Sequence, residues 1–347
     1  MKSNSKISSF KLLLDLWKFI NPRRKKKLIL LFMLMILSGV LEVFTLSVLL
    51  PFLMIIIDPS KLYEFDFAKN LILFFNISSY KNALFPLTFL FAFSVIFSAS
   101  VRLANLWLNS KLVAEIGSDI SNRIYNIYLK KNYEFHVNNN TSQLISNLTE
   151  NINGSITFLT SCLLLGTAFF VSFGILSTIF IIDWVIAIST IGTIGIAYIF
   201  LANTTKNKLK NNGEVIVKFH KNLIKTLQEG LGAIREVIIN SSQKTYSKLH
   251  LKSDIPLRKA YAQNQFIASF PRIGMEALGL LIIAFIALIM TSKSGNASAV
   301  LPILGTFALA AQRLLPAIQQ IYVSWATTTS YKNCLKEILK IINLENT

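Results

Sequence analysis

From residue 28 to residue 57 the chain runs for thirty positions with Glu42 as its only charge. About twenty consecutive apolar residues suffice for a helix to cross a bilayer. Five further apolar runs follow, at about 83–108, 158–182, 184–202, 266–290 and 299–325. A soluble domain of 347 residues would have to bury all six, more apolar surface than one core of that size absorbs. Composition agrees: 53% of the residues are hydrophobic and 15% charged, against roughly 25% charged in soluble domains. The chain is expected to be an all-α membrane protein with six transmembrane helices.

The polar stretches between the runs are unequal. Residues 203–265 carry about twelve lysines and arginines against four acids, in sequence compatible with helix. Residues 1–27 carry nine basic groups and one acid. The segments expected to lie outside the cell hold about four basic residues, and those expected inside about twenty-eight. The positive-inside rule then places both termini and the two long excursions in the cytoplasm. It also explains the net charge of +18 without nucleic acid, because the lysines flank apolar spans. Residues 28–57 exceed a signal-peptide core and are followed by no small-residue cleavage site, so they are read as a retained span.

Within residues 1–27, Phe10, Leu13, Leu14, Trp17 and Ile20 recur at helical spacing, predicting a short amphipathic helix at the interface that ends at Asn21-Pro22. Pro51 is expected to kink the far end of span one. Residues 67–75 are Phe-rich but too short to cross, and suggest an external helix lying on the membrane. The helical pattern of span two does not stop at 108 but runs to about Lys131, roughly 70 Å of helix in all. An asparagine-rich turn at 133–141 and a polar helical stretch at 142–157 lead back into span three. Asp183 marks a tight turn into span four, and residues 291–298 a short loop between spans five and six. In the excursion 203–265, Gly213, Gly230 and Gly232 are breakers, with Gly230-Leu231-Gly232 the best place for a reversal before a short helix at 233–240.

Cys162 and Cys334 lack motif spacing, so no disulfide framework or metal site is indicated, and the histidines His136, His220 and His250, scattered among polar residues, are expected on the solvated surface. No catalytic constellation stands out.

Six spans with two long helical excursions resemble the transmembrane domain of a type IV ABC exporter. Tyr133-Glu134-Phe135 with Asn138, Asn140-Thr141-Ser142 and Leu144 resembles that family's first coupling-helix region. Gln228-Glu229-Gly230-Leu231-Gly232-Ala233-Ile234-Arg235-Glu236-Val237 resembles its second. Pro271-Arg272 and Arg313-Leu314-Leu315-Pro316 look most like the PglK-type lipid-linked oligosaccharide flippases. The resemblance implies a domain over 28–343, preceded by the N-terminal segment 1–27 and followed at 344–347 by the point where an ATPase domain would begin. It implies a second copy of the domain, a nucleotide-binding partner, membrane lipid, and a bacterial plasma-membrane location. Coupling to the ATPase falls to the regions 133–141 and 232–240, with Tyr133, Phe135, Gly230, Gly232, Arg235 and Glu236 as the matched residues. No G-x-x-x-x-G-K-[ST] loop occurs, so ATP is implied on a partner or a further domain rather than on this chain, which becomes a translocase only when so paired.

Charges inside spans are costly and mark function. Arg102 lies in span two, Arg272 and Glu276 in span five, Arg313 near the middle of span six, and Glu42 in span one. Arg272 and Glu276, four apart, are placed to pair. Glu42 is a further candidate partner for one of the arginines. The flippase resemblance assigns Arg102, Arg272 and Arg313 to the pyrophosphate of a polyprenyl-linked saccharide, whose oxygens match guanidinium forks. The alternatives are an exporter of another lipid, a peptide or a drug, an ion-coupled secondary transporter, and a scaffold without transport.

Overall fold

The computed structural model describes residues 9–57, 80–182, 184–294 and 297–343. The expected external helix at 67–75 and the turn at Asp183 lie outside them. Every described element is a helix. In chain order they are α1 (Ser9–Phe19), α2 (Pro22–Ile57), α3 (Tyr80–Lys130), α4 (Tyr133–Asn138), α5 (Thr141–Ser146), a π-helical turn (Asn147–Asn151), α6 (Ile152–Ile182), α7 (Trp184–Gly232), α8 (Ile234–Ile239), α9 (Gln243–Ser294) and α10 (Ala297–Asn343). Among the described residues, three stretches are long and apolar enough to cross a membrane: Pro22–Leu49, Phe85–Lys130 and Thr141–Ile181. The spans expected at 184–202, 266–290 and 299–325 fall on α7, α9 and α10, where many side chains lie outside the described residues.

Local chemistry sets the helix ends. Asn21 caps α2 through its side-chain oxygen, which accepts from the Arg23 amide at 3.1 Å, and Pro22 takes the first helical position, where its missing N–H costs nothing. The asparagine-rich turn is a pair of caps. Asn132 accepts from the Phe135 amide at 3.1 Å and opens α4, and Asn140 accepts from the Ser142 amide at 2.9 Å and opens α5. The reversal falls where the glycines predicted it: α7 ends at Gly232, Ala233 leaves the helical region, and α8 follows. Ser241, at φ 51°, completes the turn into α9.

The helices are long. The 51 residues of α3 extend about 75 Å, so more than half of α3 projects past a hydrocarbon core of about 30 Å. Its outer surface over the apolar run is a belt of Phe89, Phe93, Ile96, Leu103 and Trp107, all more than half exposed, as a lipid-facing helix requires. The main core lies toward the polar end of the bundle. Leu31 and Met35 of α2, Leu112, Ile116 and Ile124 of α3, Phe158 of α6, and Leu335, Ile338 and Ile342 of α10 form one cluster there. α7 and α9 pack as a pair, through Ile216 against Leu257 and Ala260, and lean on α10 through Leu209, Ile267 and Ala326.

Three expectations need correction. α1 buries Leu12 and Leu16 in the bundle core, with Leu13 and Ile20 packed against it, while Leu14 and Trp17 face outward; the sequence pattern took residues from both sides and missed the two buried leucines. Gly213 breaks nothing. α7 passes through it unbroken, and a Cβ there would collide with the carbonyl oxygen of Ser330 on α10, so the glycine permits close helix contact. The loop expected at 291–298 is shorter, since α9 continues to Ser294 and α10 begins at Ala297. The basic run 23–27, expected to set topology, also makes ion pairs within the fold. Arg24 pairs with Glu115 and, at 3.2 Å, with Asp119, and Lys27 reaches Glu115 at 2.8 Å, fastening the start of α2 to the extension of α3. The Lys27 hydrogen bond holds the Glu115 carboxyl below its ordinary range.

Candidate functional site

On α2, Ser38, Glu42 and Thr45 share one face, and all are buried. The hydroxyls satisfy themselves against the backbone, Ser38 donating to the Leu34 carbonyl at 2.8 Å and Thr45 to the Leu41 carbonyl at 2.7 Å. A carboxylate has no such recourse and needs an external partner. Glu42, 0% exposed, has two. Arg313 of α10 donates from Nη1 to Oε2 at 2.7 Å, and Nη1 of Arg102 of α3 lies 2.9 Å from Oε1. The second contact is ionic only, because Oε1 accepts no hydrogen bond.

Arg102 belongs to a polar stripe on α3. Ser94, Ser98, Asn105 and Asn109 continue its face at intervals of three and four, and all four are buried. The stripe is under-satisfied: among the described residues, the Ser98 hydroxyl, the Asn105 amide nitrogen and both polar atoms of the Asn109 side chain lack partners. Facing it, Thr167 of α6 donates to Asn105 at 3.4 Å, and the buried Ser172 hydroxyl is also unpartnered.

Arg272 is held elsewhere. Its Nε donates to Glu276, one turn on, at 2.9 Å, as the spacing of four predicted. It edges a cavity of about 370 Å³ between α7, α9 and α10, lined also by Tyr198, Ser269, Gln319, Gln320 and Tyr322. Two arginines of the predicted trio therefore converge on one carboxylate and the third does not join them. Glu42, a candidate partner for one arginine, meets two, and Tyr198 with Gln319 are the residues that sequence reasoning did not assign. The signal was present: a lone acid in span one, and the pair Gln319-Gln320 within span six.

The other candidates gather at two tips of the long helices. Tyr133 opens α4 and is 82% exposed, while Phe135 is half-buried and stacks on Tyr128 with ring centroids 6.2 Å apart. Gly230 lies against the Tyr246 ring, Gly232 ends α7 in open space, and Arg235 and Glu236 stand exposed on α8. Only Val237 of α8 is buried, and Leu231, Ile234, Ile238 and Ile239 leave an apolar face outward.

The rods are tied together by a polar hub at the π-helical turn, where His220, expected on the solvated surface, is instead largely buried between helices. Glu150 accepts a hydrogen bond from Tyr261 of α9 and faces His220 of α7 at 3.6 Å, and His220 Nδ1 lies 3.3 Å from the Ser146 hydroxyl. Asn147 donates to the Tyr128 hydroxyl at 2.9 Å, and Asn151 to Asn147 at 2.7 Å. Burial depresses the His220 imidazole below its ordinary value, against the pull of Glu150, and burial together with the Glu150 bond raises Tyr261.

Long helices with an apolar belt, capped tips and charges buried between spans define a helical membrane protein of the transporter kind. Comparison with known families goes further: residues 28–311 match the ABC transporter transmembrane region, and the chain belongs to that family. Membership implies pairing with nucleotide-binding domains and with a second transmembrane domain.

Proposed function

We propose that this chain is the membrane-spanning part of an ATP-driven flippase that moves a polyprenyl-pyrophosphate-linked saccharide across a bacterial plasma membrane, with both termini cytoplasmic. The observation that carries the reading is the convergence of Arg102 and Arg313 on one buried carboxylate. Two guanidinium groups against one carboxylate leave a net positive charge between three spans, in an exporter domain. A pyrophosphate supplies the charge and the paired oxygens such a site accepts. The sequence likeness of Pro271-Arg272 and Arg313–Pro316 to the PglK-type flippases supports the same substrate class. In this reading Arg272 serves a later or neighbouring step, since Glu276 already matches its charge. The tips at α4 and α8 dock on the ATPase, and the rigid lengths of α3, α7 and α9 carry the movement into the membrane.

The test is Arg313→Ala in the assembled transporter. Flipping of a polyprenyl-pyrophosphate sugar in proteoliposomes should fall at least ten-fold while dimer assembly persists; unchanged flipping would sink the assignment. A second reading, export of another lipid, a peptide or a drug, draws on the pairing of Arg272 with Glu276, which leaves fewer arginines for an anion. It predicts that Arg313→Ala spares transport.

A further inference from the structure

We infer that the cavity between α7, α9 and α10 is a binding site for a pyranose sugar unit, held by Tyr198, Gln319 and Gln320 with Arg272 at its edge. The inference rests on the saccharide substrate proposed above, and it assigns the sugar to a place distinct from the Glu42 cluster. Three observations support it.

First, the lining is under-satisfied. Tyr198 is 8% exposed, and among the described residues its hydroxyl has no partner; the buried amide nitrogen of Gln319 has none there either. Buried polar groups in native proteins are nearly always paired, and inside a membrane there is little water to pair them. Two orphaned donors lining one cavity point to something that arrives.

Second, the chemistry is that of a neutral polyol. Arg272 is the only cation among the described lining residues, and Glu276 matches it. The remaining polar groups are the two amides, the Ser269 hydroxyl and the tyrosine hydroxyls. Amides and hydroxyls both donate and accept, as sugar hydroxyls do. Gln320 is oriented by donating to the Ser324 hydroxyl at 3.1 Å, and the Tyr322 hydroxyl is 3.2 Å from that of Thr205. The rings of Tyr198 and Tyr322, 5.5 Å apart, add apolar faces for the C–H side of a pyranose.

Third, the size fits. A cavity of about 370 Å³ falls in the range of small-molecule pockets, roughly 300–1,000 Å³. Arg313 precedes Pro316, which lines the cavity, by one turn of α10. One helix therefore carries both the proposed phosphate contact and the sugar contacts.

The experiment uses the full chain in lipid nanodiscs, with N-acetylglucosamine as probe, glycerol as control, and saturation-transfer NMR as readout. Wild type should bind the sugar saturably and glycerol not. Tyr198→Phe and Gln319→Leu should each weaken binding at least ten-fold. Neither should lower the melting temperature, because each removes a group that has no partner in the unliganded protein; a purely structural role predicts a fall. No saturable binding, equal response to glycerol, variants that bind like wild type, or a lowered melting temperature overturns the inference. The phosphate reading fails separately: if Arg313→Ala leaves flipping intact while the sugar still binds, that reading falls and the sugar site stands.

Discussion

Glu42 and Arg313, 271 positions apart, are joined by a 2.7 Å hydrogen bond in which the carboxylate is wholly buried. The bond crosses from α2 to α10, and the same carboxylate meets Arg102 of α3. Taking a carboxylate out of water is expensive, and the pair is retained only where geometry and a second charge offset the loss. Here the offset is uneven. Glu42 is 0% exposed, whereas the Arg313 and Arg102 side chains are 26% and 42% exposed. The anion is the deep member and the cations reach outward. A ligand anion could approach the two guanidinium groups from their exposed side without first displacing Glu42.

Removing Glu42 should therefore be costly in a particular way. Glu42→Ala leaves two guanidinium groups beside a buried void, and breaking one side of a buried pair costs about 3–5 kcal/mol. The exposure of Arg102 puts the expectation at the lower end. Thermal unfolding of the purified chain should show the loss. The double variant Glu42→Ala with Arg313→Met should recover part of it, since one of the two uncompensated charges, the less exposed one, is then gone. A double variant as unstable as the sum of the singles contradicts the pairing.

How much of this was legible in the sequence depends on the range of the interaction. Local signals read well. The run of helical pattern past residue 108 gave the length of α3, the asparagines before α4 and α5 are their caps, and Gly230 to Gly232 marked the reversal. Arg272 with Glu276 was readable because one helix carries both. Glu42 was readable as a partner for one of the arginines but not for which, because nothing local says which distant helix lies opposite. The same limit explains α1, whose two apolar sides are equivalent until the bundle chooses Leu12 and Leu16. It also explains Gly213, which looks like a breaker until the Ser330 carbonyl is seen against it.

The crossing of α2 and α6 depends on two glycines in register. A Cβ on Gly39 would lie 2.6 Å from the Phe170 carbonyl oxygen, and one on Gly174 would meet the Gly39 carbonyl oxygen. Both obstacles are backbone and cannot swing away. Gly39→Ala should destabilise by about 1–3 kcal/mol through overpacking. Gly192→Ala, with nothing within 4 Å of the new carbon, should be neutral or stabilising by up to about 1 kcal/mol. Melting temperatures of the two variants should move in opposite directions or differ clearly; equal shifts would remove the close contact as the reason for Gly39.

The hub at the π-helical turn should make stability pH-dependent. Burial lowers the His220 value in the folded chain, so the unfolded chain binds the proton more readily. Stability rises with pH wherever the unfolded state binds more protons. It should fall as pH drops through the unfolded imidazole value of about 6.5 and level off below the depressed folded value. Glu150 and Ser146 face the ring, with Tyr261 bonded to the other oxygen of Glu150, and only the Glu150 charge opposes the effect. His220→Gln should flatten this part of the profile between about pH 7 and 5. An unaltered slope in the variant would assign the pH dependence to other groups.

The apolar face of α8 offers the sharpest check on how this domain meets its motor. Ile238 is 58% exposed on a six-residue helix that has one buried residue. Placing a charge there should cost the isolated chain little, since surface changes away from special features stay within about 0.5 kcal/mol. In the assembled transporter the same change should matter, because the docked helix would bury that position against the ATPase. Ile238→Asp is expected to leave melting of the membrane domain unchanged while weakening capture of the nucleotide-binding partner and abolishing transport-linked ATP hydrolysis. Val237→Asp is the contrast. Val237 is buried in this chain itself, so its substitution should lower the melting temperature before any partner is added. If Ile238→Asp retains full coupling, the outward apolar face is not the docking surface and the role passes to the α4 tip around Tyr133.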